Sequence, residues 1–253
     1  MSKILIDCHC HLEEEEFDKD RKEVIERARN AGVLMITSGV GLEYAEKALK
    51  IASEFEDVYA CAGFGPYDTE DPSNVIEFIR KNKNKLVGIG EVGLDFWWVK
   101  EQDKRDITKK NFLKFINLGN ELEIPLIIHS RSAGRQTIEI LIQENAQMVQ
   151  MHAFDGKASY AMKGVEKGFM FSIPTSVVRS AQKQKLVKRL PIENLLLETD
   201  SPVLGVDPKS RNEPCFLIEG AKKIAEIKSI SLEKIIDKTT NNAKDLFKLI
   251  KLS

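Results

Sequence analysis

The chain repeats one unit: a short apolar run, then a longer stretch in which apolar residues recur every three or four places. The apolar runs predict strands at residues 3–8, 34–38, 58–62, 86–91, 125–129, 148–152, 169–173 and 194–199. Helical spacing marks residues 18–31, 42–55, 73–82, 104–122, 133–144, 157–167, 180–189 and 213–227, and a last helix covers 232–249. Capping signals stand at Asp71-Pro72-Ser73 and Ser231-Leu232-Glu233. Strict strand–helix alternation with short connections implies a parallel sheet. Eight such units in 253 residues predict an α/β fold, a (β/α)8 barrel of the TIM type spanning 1–253 as a single domain. An open doubly wound sheet is the other arrangement, but the first strand lacks the glycine-rich turn that such sheets use to bind a nucleotide.

Composition changes this picture little. Hydrophobic residues make up 42% and charged residues 30%, with a net charge of −1. Apolar runs fall far short of a membrane span, and the N-terminal run meets Asp7 too early for a signal-peptide core. A cytoplasmic location is therefore expected. Near-zero charge excludes a protein that grips long duplex DNA by overall basicity, and leaves open one that grips nucleic acid locally. Cys8, Cys10, Cys61 and Cys215 are too few and too scattered for a disulfide framework. They are expected as packed thiols, with those of Cys8 and Cys10 turned away from the neighbouring histidines by strand alternation. Charged stretches at 100–110 and 183–189 read as solvated helix faces.

The chemistry lies in the histidines. The chain has four, His9, His11, His129 and His152, and each falls at the downstream end of a predicted strand. That edge is where barrel enzymes place their catalytic groups. Glu91 and Asp200 end two further strands. In Asp7-Cys8-His9-Cys10-His11, alternation puts Asp7, His9 and His11 on one face, so both imidazoles can bind one cation while Asp7 orients one of them. His129 and His152 offer nitrogens to a second cation, and the two oxygens of Glu91 can bridge the pair. Asp200 can ligate the first cation and accept a proton from water. Asp95 shares the parity of Glu91, as a hydrogen-bonding support. Glu198 points into the barrel and needs a partner there, for which Arg131 is the candidate.

These segments resemble the TatD family of metal-dependent hydrolases, within the amidohydrolase-type barrels. The matching residues are Asp7 through Leu12, Gly90-Glu91-Val92-Gly93-Leu94-Asp95, Pro125 through Arg131 and Ala133, His152 with Phe154 and Gly156, Leu196 through Pro202, and Arg211-Asn212-Glu213-Pro214, all in family order. The resemblance implies a TIM-type barrel with two divalent cations (Mg, Mn or Zn). One would be held by His9, His11 and Asp200 and the other by His129 and His152, with Glu91 between them. It also implies a deoxyribonuclease that trims DNA. Two departures bear on substrate: Gly65 stands where relatives commonly carry a histidine, and Phe96-Trp97-Trp98 replaces an aromatic–basic pair.

On this reading, bound cations acidify water toward neutrality, Asp200 serves as general base, and Arg131 or Arg211 neutralises phosphate. Trp97 is positioned either to stack an unpaired base or to pack its loop on the rim. DNA held locally is the expected partner, with no membrane and no obligate protein. Hydrolysis of a small amide, ester or phosphoester on the same centre is the alternative. A non-enzymatic scaffold would require six retained ligands to be relics.

Overall fold

Eight strands run parallel in chain order: β1 (Leu5–Cys10), β2 (Val33–Val40), β3 (Val58–Gly63), β4 (Leu86–Gly93), β5 (Leu126–His129), β6 (Val149–Met151), β7 (Met170–Pro174) and β8 (Leu195–Glu198). The structure, a computed structural model, describes residues 4–249. Between and after the strands lie α1 (Arg21–Asn30), α2 (Leu42–Glu54), α3 (Ser73–Asn82), α4 (Gln102–Leu122), α5 (Gly134–Gln143), α6 (Ala158–Val165), α7 (Ala181–Arg189), α8 (Leu217–Lys228) and α9 (Leu232–Phe247). The predicted order of strands and helices is the observed one. The segment expected to be helical from 213 begins instead with a 3-10 turn at Pro214–Phe216, with proline in the first position, where no intrahelical amide bond is required. Ser231 caps α9 by accepting from the Lys234 amide, whereas α3 starts behind Pro72 with no side-chain cap.

The last strand returns to the first. The Asp200 amide donates to the His9 carbonyl at 2.9 Å, and the His11 amide donates to the Ser201 carbonyl at 2.8 Å. Asp7 completes the seam: its carboxylate accepts the Thr199 amide at 2.8 Å and the Thr199 hydroxyl. Eight strands so joined form a TIM-type barrel. Inside it, Ile6, Cys8, Leu34, Ile36, Cys61 and Ile127 form one apolar cluster, and Phe247 and Leu249 at the end of α9 belong to the same cluster. A second, larger cluster fills the shell between strands and helices, with Phe112, Phe115, Phe154 and Phe171 fully buried. Among the described residues no helix is long and apolar enough to cross a membrane.

Strand alternation breaks at two places that matter. Register shifts between Asp7 and Cys10 in β1, and between Ile89 and Val92 in β4. Such irregularities re-aim side chains. In β1, Cys8 joins Ile6 in the inner cluster, while Cys10 joins the outer one. The expected shared face of Asp7, His9 and His11 is thereby lost, and Asp7 holds the β1–β8 seam instead of an imidazole. In β4, Gly90 permits the close approach to β5: a Cβ there would lie 2.5 Å from the Ile127 Cβ and 2.9 Å from its carbonyl oxygen. Gly90→Ala is therefore expected to destabilise the barrel by about 1–3 kcal/mol through overpacking, read as a lower urea midpoint at unchanged slope. An unshifted midpoint would show that β5 yields freely.

Candidate metal centre

At the carboxyl ends of the strands, four imidazoles surround two carboxylates. His9 and His11 leave β1, Glu91 lies near the end of β4, His129 ends β5, His152 follows β6, and Asp200 follows β8. The Glu91 Oε2 stands 3.3 Å from His9 Nε2 and 3.5 Å from His11 Nε2, while its Oε1 contacts His129 Nδ1. Each oxygen thus faces a different imidazole group, the arrangement of a bridging carboxylate. Asp200 divides in the same way: Oδ1 lies 3.5 Å from both His9 Nε2 and His11 Nε2, and Oδ2 lies 3.9 Å from His152 Nε2. Asp200 therefore reaches both groups, where the sequence assigned it to the first alone. His9 and His152 rings approach to 3.9 Å between centroids. All six residues fall into overlapping triads whose donor atoms lie within 4.8 Å of one another.

The donor set fits divalent cations. His9 is fully buried, yet neither of its ring nitrogens has a hydrogen-bond partner. Leaving such atoms unmatched costs free energy, and a cation at Nε2 would remove part of that cost. The remaining imidazoles are each oriented by a carboxylate on the nitrogen turned away from the cluster, as metal-ligating histidines usually are. His129 Nε2 meets Asp95 Oδ2 at 2.9 Å, and Asp95 also accepts the Trp97 and Trp98 amides. His152 Nδ1 meets Glu198 Oε2 at 3.0 Å. Glu198 is fully buried and further satisfied by the Ser172 hydroxyl and the Ala153 amide. Arg131 is not its partner, because its guanidinium lies over the Trp97 ring at the rim.

His11 is oriented by a residue the sequence reading passed over. Its Nδ1 meets Glu13 Oε1 at 3.0 Å and the Ser38 carbonyl at 3.1 Å, and the other Glu13 oxygen accepts the Thr37 hydroxyl. Glu13 is fully buried although it opens a run of four acidic residues. Its place two residues after His11 is the available signal. Replacing Glu13 with Gln is expected to weaken cation binding about 10–100-fold, as loss of such supports typically does. Calorimetric titration of stripped protein with manganese would show this, and parental affinity would mean the Ser38 carbonyl suffices.

Charges inside the cluster are mutually dependent. Burial by itself would lower the His9 imidazole, but the carboxylates of Asp200 and Glu91 override it and raise it to about 9. His129 rises to about 10 for the same kind of reason, burial being outweighed by Glu91 and Asp95. Burial would raise Glu91, yet the His129 and His152 imidazoles hold its carboxyl well below the usual range. Asp200 is depressed similarly, against burial, by His152, His11 and His9. Metal binding must displace these imidazole protons.

The cluster opens into a cavity of about 600 Å³. Arg131 lines it, and Trp97, 45% exposed, stands behind Arg131 with the guanidinium 4.0 Å from its ring centroid. Trp97 is thus neither packed under its loop nor pointing into the cavity. Arg211 is turned away: it pairs with Asp20 and Glu213 and donates to the Glu16 carbonyl, fastening its loop to the start of α1. A guanidinium so engaged has little to offer a phosphate. Lys183, expected on a solvated face, is 7% exposed and lines the cavity, donating to the Ala153 and Phe154 carbonyls. Burial lowers its ammonium to about 8. Its spacing from Leu186 and Val187 places it on the inner face of α7, which its charge concealed. The cysteines are unpaired thiols, three of them buried and none in the cluster.

A parallel barrel carrying this ligand set at its carboxyl edge defines a metal-dependent hydrolase. Comparison with known proteins gives the family: the family model described as "TatD related DNase" matches residues 6–248, and the chain belongs to that family. It is 40% identical to human "Deoxyribonuclease TATDN3", over 96% of this chain and 94% of that protein. Identity to the Bacillus subtilis "Uncharacterized metal-dependent hydrolase YabD" is 35%, covering 97% and 100% of the two chains. Among solved structures, the Escherichia coli TatD homologue YJJV superposes with a TM-score of 0.89 at 23% identity, over 98% of this chain and 99% of that one. That likeness concerns the fold alone.

Proposed function

We propose that the chain hydrolyses phosphodiester bonds of DNA using two divalent cations (Mg, Mn or Zn) between its four imidazoles. The observation that carries this reading is the division of the Glu91 and Asp200 oxygens between two imidazole groups at the floor of one cavity. Relatives named deoxyribonuclease at 40% identity point to the same substrate class. His9 and His11 would hold one cation and His129 and His152 the other, with Glu91 between them. When bound, such a pair supplies acidified water and neutralises charge on the phosphoryl oxygens. Asp200 accepts the proton of the attacking water, whose oxygen bonds to phosphorus as the P–O ester bond breaks. The departing alkoxide takes up a proton. Arg131 at the rim offers planar donors to a phosphate of the bound strand. Unpaired cysteines accord with the cytoplasmic setting that belongs to this reading.

A panel of single-stranded DNA, duplex DNA, RNA, a small phosphodiester, an ester and an amide, each with magnesium, manganese and zinc, tests the proposal. DNA should give the highest kcat/KM. An amide or carboxylic ester turned over faster than any phosphodiester would overturn it in favour of a small-molecule hydrolase.

A further inference from the structure

The mouth of the cavity is electrically lopsided. Glu14 and Glu16 line the side that follows β1, while Arg131 and Lys183 line the side built after β5 and β7. Among the described residues neither side chain has an ion-pair partner, although the more distant Glu198, Asp155 and Asp200 bear on Lys183. Arg131 lies over Trp97, and Lys183 gives two of its three protons to backbone carbonyls. Among the described residues no carboxylate stands within ion-pair distance of either. Asp155 lines the same cavity, but its Oδ2 accepts the Ser132 amide at 2.9 Å and so ties the β5 and β6 loops together. Ser130 adds a third group: the residue lines the cavity and is 3% exposed, and its hydroxyl oxygen, buried just behind that lining, has no hydrogen-bond partner.

A buried ammonium with no carboxylate in ion-pair contact and a buried hydroxyl with no partner both cost free energy. Both residues line the side of the cavity built after β5 and β7, and an anion bound there would supply what each lacks. None of the three groups is among the six cluster residues, so an anion on this wall would sit beside the cations rather than between them. The acidic opposite wall repels a strand laid across it.

We propose that Lys183 and Ser130, with Arg131 at the rim, form a phosphate subsite that holds the non-reacting phosphate next to the bond being cut. The inference rests on the phosphodiesterase reading above and adds to it a direction: the strand crosses the β5–β7 side of the mouth. Lys183 and Ser130 act there by binding substrate, with no bond made or broken at either.

Two measurements on manganese-loaded protein test this. In calorimetry, thymidine 3′,5′-bisphosphate should bind at least about tenfold tighter than either thymidine monophosphate, as a charge-assisted hydrogen bond allows. In turnover, a thymidine dinucleotide bearing an extra phosphate at one end should exceed the unphosphorylated dinucleotide in kcat/KM by a similar factor. Both preferences should collapse in Lys183→Met, shrink in Ser130→Ala, and return in part in Lys183→Arg. Ser130→Ala removes a hydroxyl with no protein partner, so it reports even if the lysine variant misfolds. Absence of a bisphosphate preference in the parent, or its persistence in both Lys183→Met and Ser130→Ala, overturns the subsite even when hydrolysis is normal. A binding preference without a turnover preference overturns the strand assignment and marks a site for free mononucleotide. If the bisphosphate preference is present and lost in the variants, yet no phosphodiester is cleaved, the subsite stands and the hydrolytic reading falls.

Discussion

Replacing Asp200 with Asn should leave a folded barrel whose kcat on DNA falls by about 10²–10⁴-fold, the usual contribution of a positioned base. The carboxylate is buried between the imidazoles of His9, His11 and His152, which hold it ionised far below its ordinary range. Asn keeps the shape and loses both the negative charge facing two imidazole groups and the capacity to take a proton. The backbone should tolerate the change. Asp200 adopts φ of 55°, in the left-handed region that Asn enters as readily as Asp, and its amide still donates to His9. Circular dichroism and thermal melting would confirm the fold while turnover is measured. Activity within threefold of the parent would remove Asp200 from the chemistry.

Stripping divalent cations should abolish turnover and lower the melting temperature, and adding them back should restore both. A cation present at about a hundredfold above its Kd stabilises by about 2.7 kcal/mol. For a chain of this size that corresponds to roughly 5–10 °C in Tm. The loss should depend on pH in a definite direction. His9 and His129 are raised from 6.5 to about 9 and about 10, so the stability their protonation contributes is complete below 6.5 and is lost as pH rises through those values. Stripped protein should therefore weaken between neutral pH and about 10, whereas loaded protein, whose imidazoles are held without protons, should not follow. Parallel melting curves for the two forms across that range would refute cation binding by these imidazoles.

Much of this molecule was legible in its pattern. Eight apolar runs separated by amphipathic segments require a parallel sheet covered by helices, and the observed strands coincide with the runs to within a few residues. The six cluster residues were legible because chain order, strand ends and chemistry agreed: histidine appears nowhere else in the sequence. Asp95 was legible as well, and it meets His129 at 2.9 Å. Glu198 was legible as an inward carboxylate, though its partner proved to be His152 and not Arg131, and the support of His11 was not legible. Glu13 sits in an acidic run that resembles a solvated segment, and only the approach of Thr37 and Ser38 from β2 gives its charge a reason to be buried. Arg211 follows the residues of β8 in sequence, which by chain order alone places it near the phosphate, yet Asp20 at the start of α1 claims it.

The sequence by itself determined the barrel, its strand order and the identity of the six groups at its edge, because periodicity and residue type are local properties that survive translation into space. Tertiary structure alone decided how those groups are shared. Irregular register in β1 and β4 cancelled the alternation from which side-chain facing was inferred, so that Asp7 turned to Thr199 and Glu91 turned one oxygen to each imidazole group. Which carboxylate steadies which histidine, and which cation ends buried at the cavity wall, depends on residues brought together from distant strands. Pairing of that kind is fixed by the cost of leaving a buried charge or donor unmatched, and no single segment can reveal it.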